Sequence, residues 1–272
     1  MELYDAIFYR KSVRNYSNKK VTIALMEEVK NISSNITYLN NDLNIKAHVI
    51  ERGHLIHFLM GKKHKLKAPH YIVLTSNKGE GYLGNIGFAA EEIVLQLTIL
   101  GVATCWLECN LKREDILEFI DIEDINEDNV NDENQENMEE NLEYPIALIA
   151  FGYAQESEKL FREQDDDIDR KHIKKVCKKI DKKYTNIVEA VRLAPSIKNI
   201  QPWVLYKDID GLSIYEEKQK KHIRDMSKIS MGIALRHLDI ACKKFELKID
   251  FSKTNAKNRI GKEYYITVIF NQ

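Results

Sequence analysis

Two short stretches of the 272-residue chain carry side chains dense enough to hold a ligand. The first is Arg10-Lys11-Ser12-Val13-Arg14, three cations and a serine within five residues. A guanidinium matches phosphate oxygens through parallel N–H donors, and a serine hydroxyl adds another bond, so the run can serve as a phosphate clamp. Taken alone, so short a run is more often a solvated basic turn. The second is Ala194-Pro195-Ser196-Ile197-Lys198-Asn199-Ile200-Gln201-Pro202-Trp203. Ser196, Asn199 and Gln201 offer adaptable donors and acceptors there, braced by two prolines and a tryptophan, which suits recognition of a flat polar ring. An ordinary capped turn accounts for these ten residues equally well. No metal centre is predicted. Cys105 and Cys109 lack a second pair of ligands, and His54, His57, His64 and His70 share no register with a carboxylate or cysteine. No Ser-His-Asp or Cys-His arrangement is legible, so no catalytic side chain is assigned.

The elements that must position these residues follow from periodicity. Leu3, Ala6, Ile7 and Tyr9 predict a short amphipathic helix running into the basic stretch, and Val21 to Ile32 a second helix. Tyr71 to Thr75 reads as a buried strand. Gly84 to Leu100 is the most apolar helix, closed by Gly101, and Val102 to Asn110 follows it. Tyr144 to Tyr153 is a buried strand ending near Gly152. Asn186 to Leu193 is a helix that Pro195 stops, Pro202 leads into a strand from Trp203 to Tyr206, and Tyr264 to Phe270 closes the chain. The fold class is α+β.

These stretches together resemble the FMN-dependent nitroreductase family. Arg-Lys-Ser-Val-Arg looks like its N-terminal motif, which implies that Arg10, Lys11, Ser12 and Arg14 hold the FMN phosphate and ribityl chain, Lys11 with the lowest odds of the four. Gly101-x-x-Thr104-Cys105-Trp106 resembles its ring loop, which assigns Trp106, Leu107 and Glu108 to the flavin ring, Glu108 through its backbone. The Ala-Pro-Ser-x-x-Asn-x-Gln-Pro-Trp turn implies Pro195, Ser196, Asn199 and Gln201 at the ring edge or ribityl hydroxyls. After Gly152 the family has a basic segment that closes on the phosphate. Arg162, Arg170 and Lys171 are the candidates here, and Arg170 is preferred.

An internal echo organises the chain. Gly232 to Ile240 can be laid on Gly87 to Leu95 at an offset of 145 (232 − 87), with a similar apolar and polar pattern. The first half has the basic clamp and the Thr-Cys-Trp loop, but carries Ser33-Ser34-Asn35-Ile36-Thr37-Tyr38 where the family has its Pro-Ser…Gln-Pro-Trp turn. The second half has that turn and lacks the clamp. The resemblance therefore implies a nitroreductase-like fold in which two half-domains form a pseudo-twofold dimer within one chain, with one flavin site drawing on both halves. The expected halves are residues 1–153 and 184–272, joined by a connector over 154–183. Lys171, Lys174, Lys175, Lys178, Lys179, Lys182 and Lys183 fall on one helical face of that connector, with Ile173, Val176, Cys177 and Ile180 on the other. From Asp121 to Glu143 the chain is dominated by Asp, Glu and Asn, which predicts a flexible surface insertion.

Composition narrows the function classes. Apolar residues are 44%, charged residues 31% and the formal charge is −1, as in a soluble globular protein with no general case for nucleic acid or an anionic membrane. Met1 to Asp5 does not read as a signal peptide, and the four cysteines form no disulfide framework, so a cytoplasmic location is expected. The resemblance implies an FMN-dependent NAD(P)H oxidoreductase that reduces nitroaromatic, quinone or flavin-type acceptors by ping-pong hydride transfer, with NADH or NADPH as donor. A monomer is expected, since the internal pseudo-dimer needs no partner copy. The alternative is a flavin-binding or sensory pseudoenzyme. It draws on departures from the family, among them Arg236 and His237 on a helix expected to be buried. A purely structural protein would bind no flavin.

Overall fold

The computed structural model describes residues 1–61, 64–120, 142–163, 168–179 and 181–271. The predicted acidic insertion falls outside them up to residue 141, as does Asp165-Asp166-Asp167. Two compact units result. One comprises Met1–Arg10, Leu83–Leu95 and Arg162–Gln272; the other comprises Lys11–Tyr82 and Gln96–Phe161.

In the second of these units, β1 (Ile45–Ile50), β2 (His70–Ser76), β3 (Ala103–Glu108) and β4 (Tyr144–Gly152) form an antiparallel sheet in the order β1-β2-β4-β3. Every residue of β2 is buried, which explains its uninterrupted apolar run. Ile50, Ile56, Met60, Tyr71, Val73, Cys105, Leu148 and Ala150 belong to one core cluster. Helix α2 (Ile23–Ser34) starts where the Thr22 hydroxyl accepts from Leu25 N–H. At the head of β4, the buried Glu143 carboxylate accepts from Lys46 Nζ at 2.9 Å, from the Thr75 hydroxyl, and lies 3.0 Å from His48 Nε2. Burial alone would raise this carboxyl. The hydrogen bonds of His48, Thr75 and Lys46 outweigh it and hold the group down to about 2.

The first unit repeats the plan. Its strands β5 (Trp203–Lys207), β6 (Gly211–Glu217), β7 (Ile249–Ser252) and β8 (Lys262–Phe270) are again antiparallel, in the order β5-β6-β8-β7. Helix α8 (Arg224–Lys244) is buried along most of its length and meets the 83–95 part of α4 (Tyr82–Ile99). The meeting is reciprocal. A Cβ on Gly87 would lie 1.9 Å from the Ile229 carbonyl oxygen, and one on Gly232 would lie 1.8 Å from that of Gly84. Adding 145 to Gly84 and Gly87 gives positions 229 and 232, so each helix offers the other the same backbone patch.

The two helices also end alike. After α4, Gly101 N–H donates to Thr98 O and Val102 N–H to Leu97 O, with Gly101 at φ 73°. After α8, Glu246 N–H donates to Lys243 O and Leu247 N–H to Cys242 O, with Glu246 at φ 55°. Both are Schellman caps, 145 residues apart, but the second sets a glutamate in the left-handed conformation that favours glycine.

The connector departs from expectation. Among the described residues its helical face is realised only as α6 (Ile173–Val176), followed after Cys177 by a 3₁₀ turn at Lys182–Tyr184, and Ile180 lies outside them. Cys177 instead makes a parallel bridge to Leu205 on the edge of β5, and Val176 and Cys177 are buried. Edge pairing takes the backbone out of the helix, and a helix this short has little stability of its own. No described helix is long and apolar enough to cross a membrane.

Two measurements follow. Glu246→Gly should raise stability by roughly 0.5–1 kcal/mol in urea unfolding, because it relieves a left-handed residue partly offset by the freedom glycine gains in the unfolded chain. Because the folded Glu143 carboxyl sits below its ordinary 4.5, its contribution is present above about pH 4.5 and disappears as pH falls toward 2. Glu143→Gln should cost about 1.5–3 kcal/mol at pH 7 and flatten that part of the acid limb.

Candidate functional site

The basic clamp divides at its first residue. Arg10 closes α1 (Leu3–Tyr9), with its N–H on Ala6 O at 2.8 Å, and its side chain is only 2% exposed. Glu91 of α4 faces it, Oε1 lying 3.9 Å from Arg10 Nε. Arg162 N–H donates to Tyr9 O at 2.8 Å, which brings a second arginine to the same end of α1. Arg170 completes the group. Burial, and then the charges of Arg10 and Arg162, push its guanidinium down from 12.5 to about 10; Asp169 opposes the shift and Arg192 adds to it. Arg192 itself is matched by Glu189, whose Oε2 accepts from Arg192 Nε at 2.7 Å.

Arg170 is held in place by the turn. Its Nη1 donates to Asn199 Oδ1 at 3.0 Å and to Asp169 O at 2.9 Å, while its buried Nε has no hydrogen-bond partner among the described residues. Asn199 Nδ2 donates to Asp169 Oδ2 at 2.8 Å. Gln201 accepts at Oε1 from Lys171 N–H at 2.7 Å, and the Ser196 hydroxyl accepts from Gln201 N–H at 2.9 Å. Lys171 Nζ reaches Gln201 O at 2.9 Å and Glu217 Oε2 at 2.7 Å. Lys198, Asn199 and Gln201 all take positive φ, so the turn is wound tightly enough for its polar groups to face the 169–171 segment. Pro195 follows α7 (Thr185–Arg192) as its stop, and Trp203 is fully buried.

The remaining predicted residues lie in the other unit. Lys11 Nζ is 3.4 Å from Glu158 Oε1, and Asn15 Nδ2 donates to Glu158 Oε2 at 2.8 Å. Arg14 is exposed. Ser12 bridges in parallel to Thr104, and Val13 N–H donates to the Thr104 carbonyl at 3.0 Å. That carbonyl marks the outer edge of β3, an edge strand, and alternation turns the backbone groups of Trp106 and Glu108 to the same side. Trp106 is buried, Leu107 is half-buried and the Glu108 side chain is exposed.

Arg10 and Arg170 thus come together within one unit, with Pro195, Ser196, Asn199 and Gln201 in the turn that braces Arg170. Lys11, Ser12, Arg14 and Trp106 to Glu108 belong to the other. Sequence reasoning missed Glu91 and Arg192, because neither belongs to a motif; a glutamate in the most apolar helix was the one signal available. Among the described residues, no group of three His, Cys, Asp or Glu is placed to hold a metal ion.

What the arginine group can do chemically is take an anion. A buried Nε without an acceptor, beside further guanidinium groups, matches the several oxygens of a phosphate monoester.

A family model described as "putative TM nitroreductase" matches residues 2–242. No curated protein gives a match. The chain is similar in fold to a protein of Thermotoga maritima described as a "putative nitroreductase", at 22% identity and a TM-score of 0.62, covering 100% of this chain and 95% of that one. A nitroreductase with bound FMN from Bacteroides fragilis aligns at 17% identity with a TM-score of 0.42, over 61% of this chain and 95% of its own. A nitroreductase family protein from Clostridium novyi aligns at 22% and 0.43, over 58% and 87%.

Inorganic phosphate should raise the melting temperature of the wild-type chain well beyond chloride at equal ionic strength. Arg170→Gln should bind phosphate roughly 10- to 100-fold more weakly by calorimetry, the size of one charge-assisted hydrogen bond. Equal responses of the two proteins would show that the arginines are not an anion site.

Proposed function

Because this chain belongs to the putative TM nitroreductase family, we propose that it is an FMN-dependent NAD(P)H oxidoreductase acting on nitroaromatic, quinone or flavin-type acceptors. The observation that carries the reading is Arg170, whose buried Nε needs an acceptor that none of the described residues supplies and whose guanidinium Asn199 holds in place near Arg10 and Arg162. FMN meets that requirement with a terminal phosphate, and when bound it would accept hydride from NADH or NADPH and return it to the acceptor in a ping-pong cycle.

Arg10, Arg162 and Arg170 hold the phosphate. Asn199 fixes the Arg170 fork, so the guanidinium meets its ligand already oriented and loses little freedom on binding. Ser12, Arg14 and, less directly, Lys11 remain the candidates for the ribityl chain. Trp106, Leu107 and Glu108 remain the candidates for the flavin ring, and Pro195 is a further candidate from the turn.

The chain is read as a fused pair of nitroreductase-like halves with a pseudo-twofold relation and one FMN. Three observations support this: the matching strand orders, the reciprocal glycine contact, and the Schellman caps set 145 residues apart. In this reading the chain works as a monomer, since residues that a two-fold dimer would supply from both copies are encoded once. One observation favours the second reading, a flavin-binding or sensory protein without turnover. Ser196, Asn199 and Gln201 spend hydrogen-bonding capacity inside the protein.

A visible absorption spectrum of the FMN-loaded protein, taken before and after anaerobic NADPH and then NADH, separates the readings. About one FMN per chain, bleached by either nucleotide, is the expected result. Two flavins per chain would contradict the single site, and flavin that resists both nucleotides would favour the binding protein.

A further inference from the structure

Where α4 and α8 meet, the glycines leave no room for side chains, yet one turn further along a glutamate and a histidine are fully buried. Glu91 and His237 are both 0% exposed. His237 Nδ1 lies 2.9 Å from the Ala190 carbonyl oxygen, and Nε2 lies 3.0 Å from Glu91 Oε1. A carbonyl can only accept, so Nδ1 must carry a proton. The contact between Nε2 and Oε1 then requires another proton between them, on the imidazole or on the carboxyl. In either form the glutamate is anchored from the α8 side, and the same Oε1 atom faces Arg10 Nε at 3.9 Å on the other.

We propose that Glu91 and His237 are positioning residues for Arg10: the imidazole, fixed by the Ala190 carbonyl, sets the Glu91 carboxyl, and that carboxyl aims the Arg10 guanidinium at a phosphate monoester. This rests on the reading of Arg10 as a phosphate ligand. Stability alone accounts poorly for the pair, because taking a glutamate and a histidine out of water costs as much as their attraction returns, and apolar residues of similar volume serve a core at least as well. A guanidinium that must meet a doubly charged ligand does need a fixed direction. A long side chain free to rotate would surrender its rotamer freedom on binding and weaken the complex. The chain of contacts also couples the second half of the sequence to the clamp encoded in the first, through residues 146 positions apart (237 − 91).

The test compares FMN with riboflavin, which lacks the phosphate, by flavin fluorescence quenching on the full-length protein. His237→Gln and Glu91→Gln should each weaken FMN about 10-fold or more and leave riboflavin affinity within about twofold. In an Arg10→Ala background, His237→Gln should have no further effect on FMN, since the pair acts through that arginine. A merely structural pair would instead lower FMN and riboflavin affinity together, which would overturn the proposal. So would unchanged FMN binding in His237→Gln alongside a loss in Arg10→Ala, an outcome that leaves the FMN reading intact. Unchanged FMN binding in Arg10→Ala would overturn the phosphate assignment and the pairing with it. A second measurement needs no variant. In ¹⁵N-histidine spectra of the wild type, the His237 ring signals should move on saturation with FMN and stay in place with riboflavin; identical responses to the two ligands would contradict the coupling.

Discussion

Much of this protein depends on two helices being able to touch backbone to backbone. Any side chain at Gly87 or Gly232 would press into the carbonyl of Ile229 or Gly84. Small residues let the helices approach this closely, and the approach buries the neighbouring turns. There Arg236 donates from Nε to the Phe88 carbonyl at 2.8 Å, lies 3.7 Å over the Phe88 ring, and pairs with Glu92 and Asp239. One turn away, Glu91 meets His237. Polar groups in such a place are tolerated only when their bonds are made, which is why these charges occur as interlocking sets.

Arg10 is drawn into the same system from α1, and the electrostatic consequence reaches the candidate site. Glu91 faces Arg10 at ion-pair distance, and Arg10, Arg162 and Asp169 all act on Arg170. Burial of the Arg10 side chain and of Arg170 Nε limits solvent screening there, which strengthens their attraction for an incoming anion. The turn adds precision to this attraction. Asn199 and Gln201 hold the 169–171 segment against positive-φ backbone, so the residues that look in the sequence like ligand contacts also act as scaffolding for the arginine behind them.

What could be read from the sequence was local. The all-buried β2 showed as an unbroken apolar run, Gly101 showed as a helix cap, and Pro195 and Pro202 bracketed the turn at its observed limits. The offset of 145 between the long helices was visible as a faint pattern, and the structure gives it physical content in reciprocal contacts and matching caps. The connector was misread, since lysines at helical spacing say nothing about Cys177 pairing with the edge of β5. The arginine group was only partly legible. Arg10 and Arg170 were named from motifs, but their proximity is a tertiary fact that periodicity does not encode. The Glu91 partner sat unmarked inside an apolar helix, and His237 was noticed only as a misfit.

The central claim is that this chain holds a single phosphate-bearing flavin on Arg10, Arg162 and Arg170. A crystal structure of the protein with FMN tests it most directly. The account predicts one flavin per chain, its phosphate oxygens within hydrogen-bond distance of Arg10, Arg162 and Arg170 Nε. A phosphate placed away from these guanidinium groups, or a second flavin bound by the other half of the repeat, would contradict it.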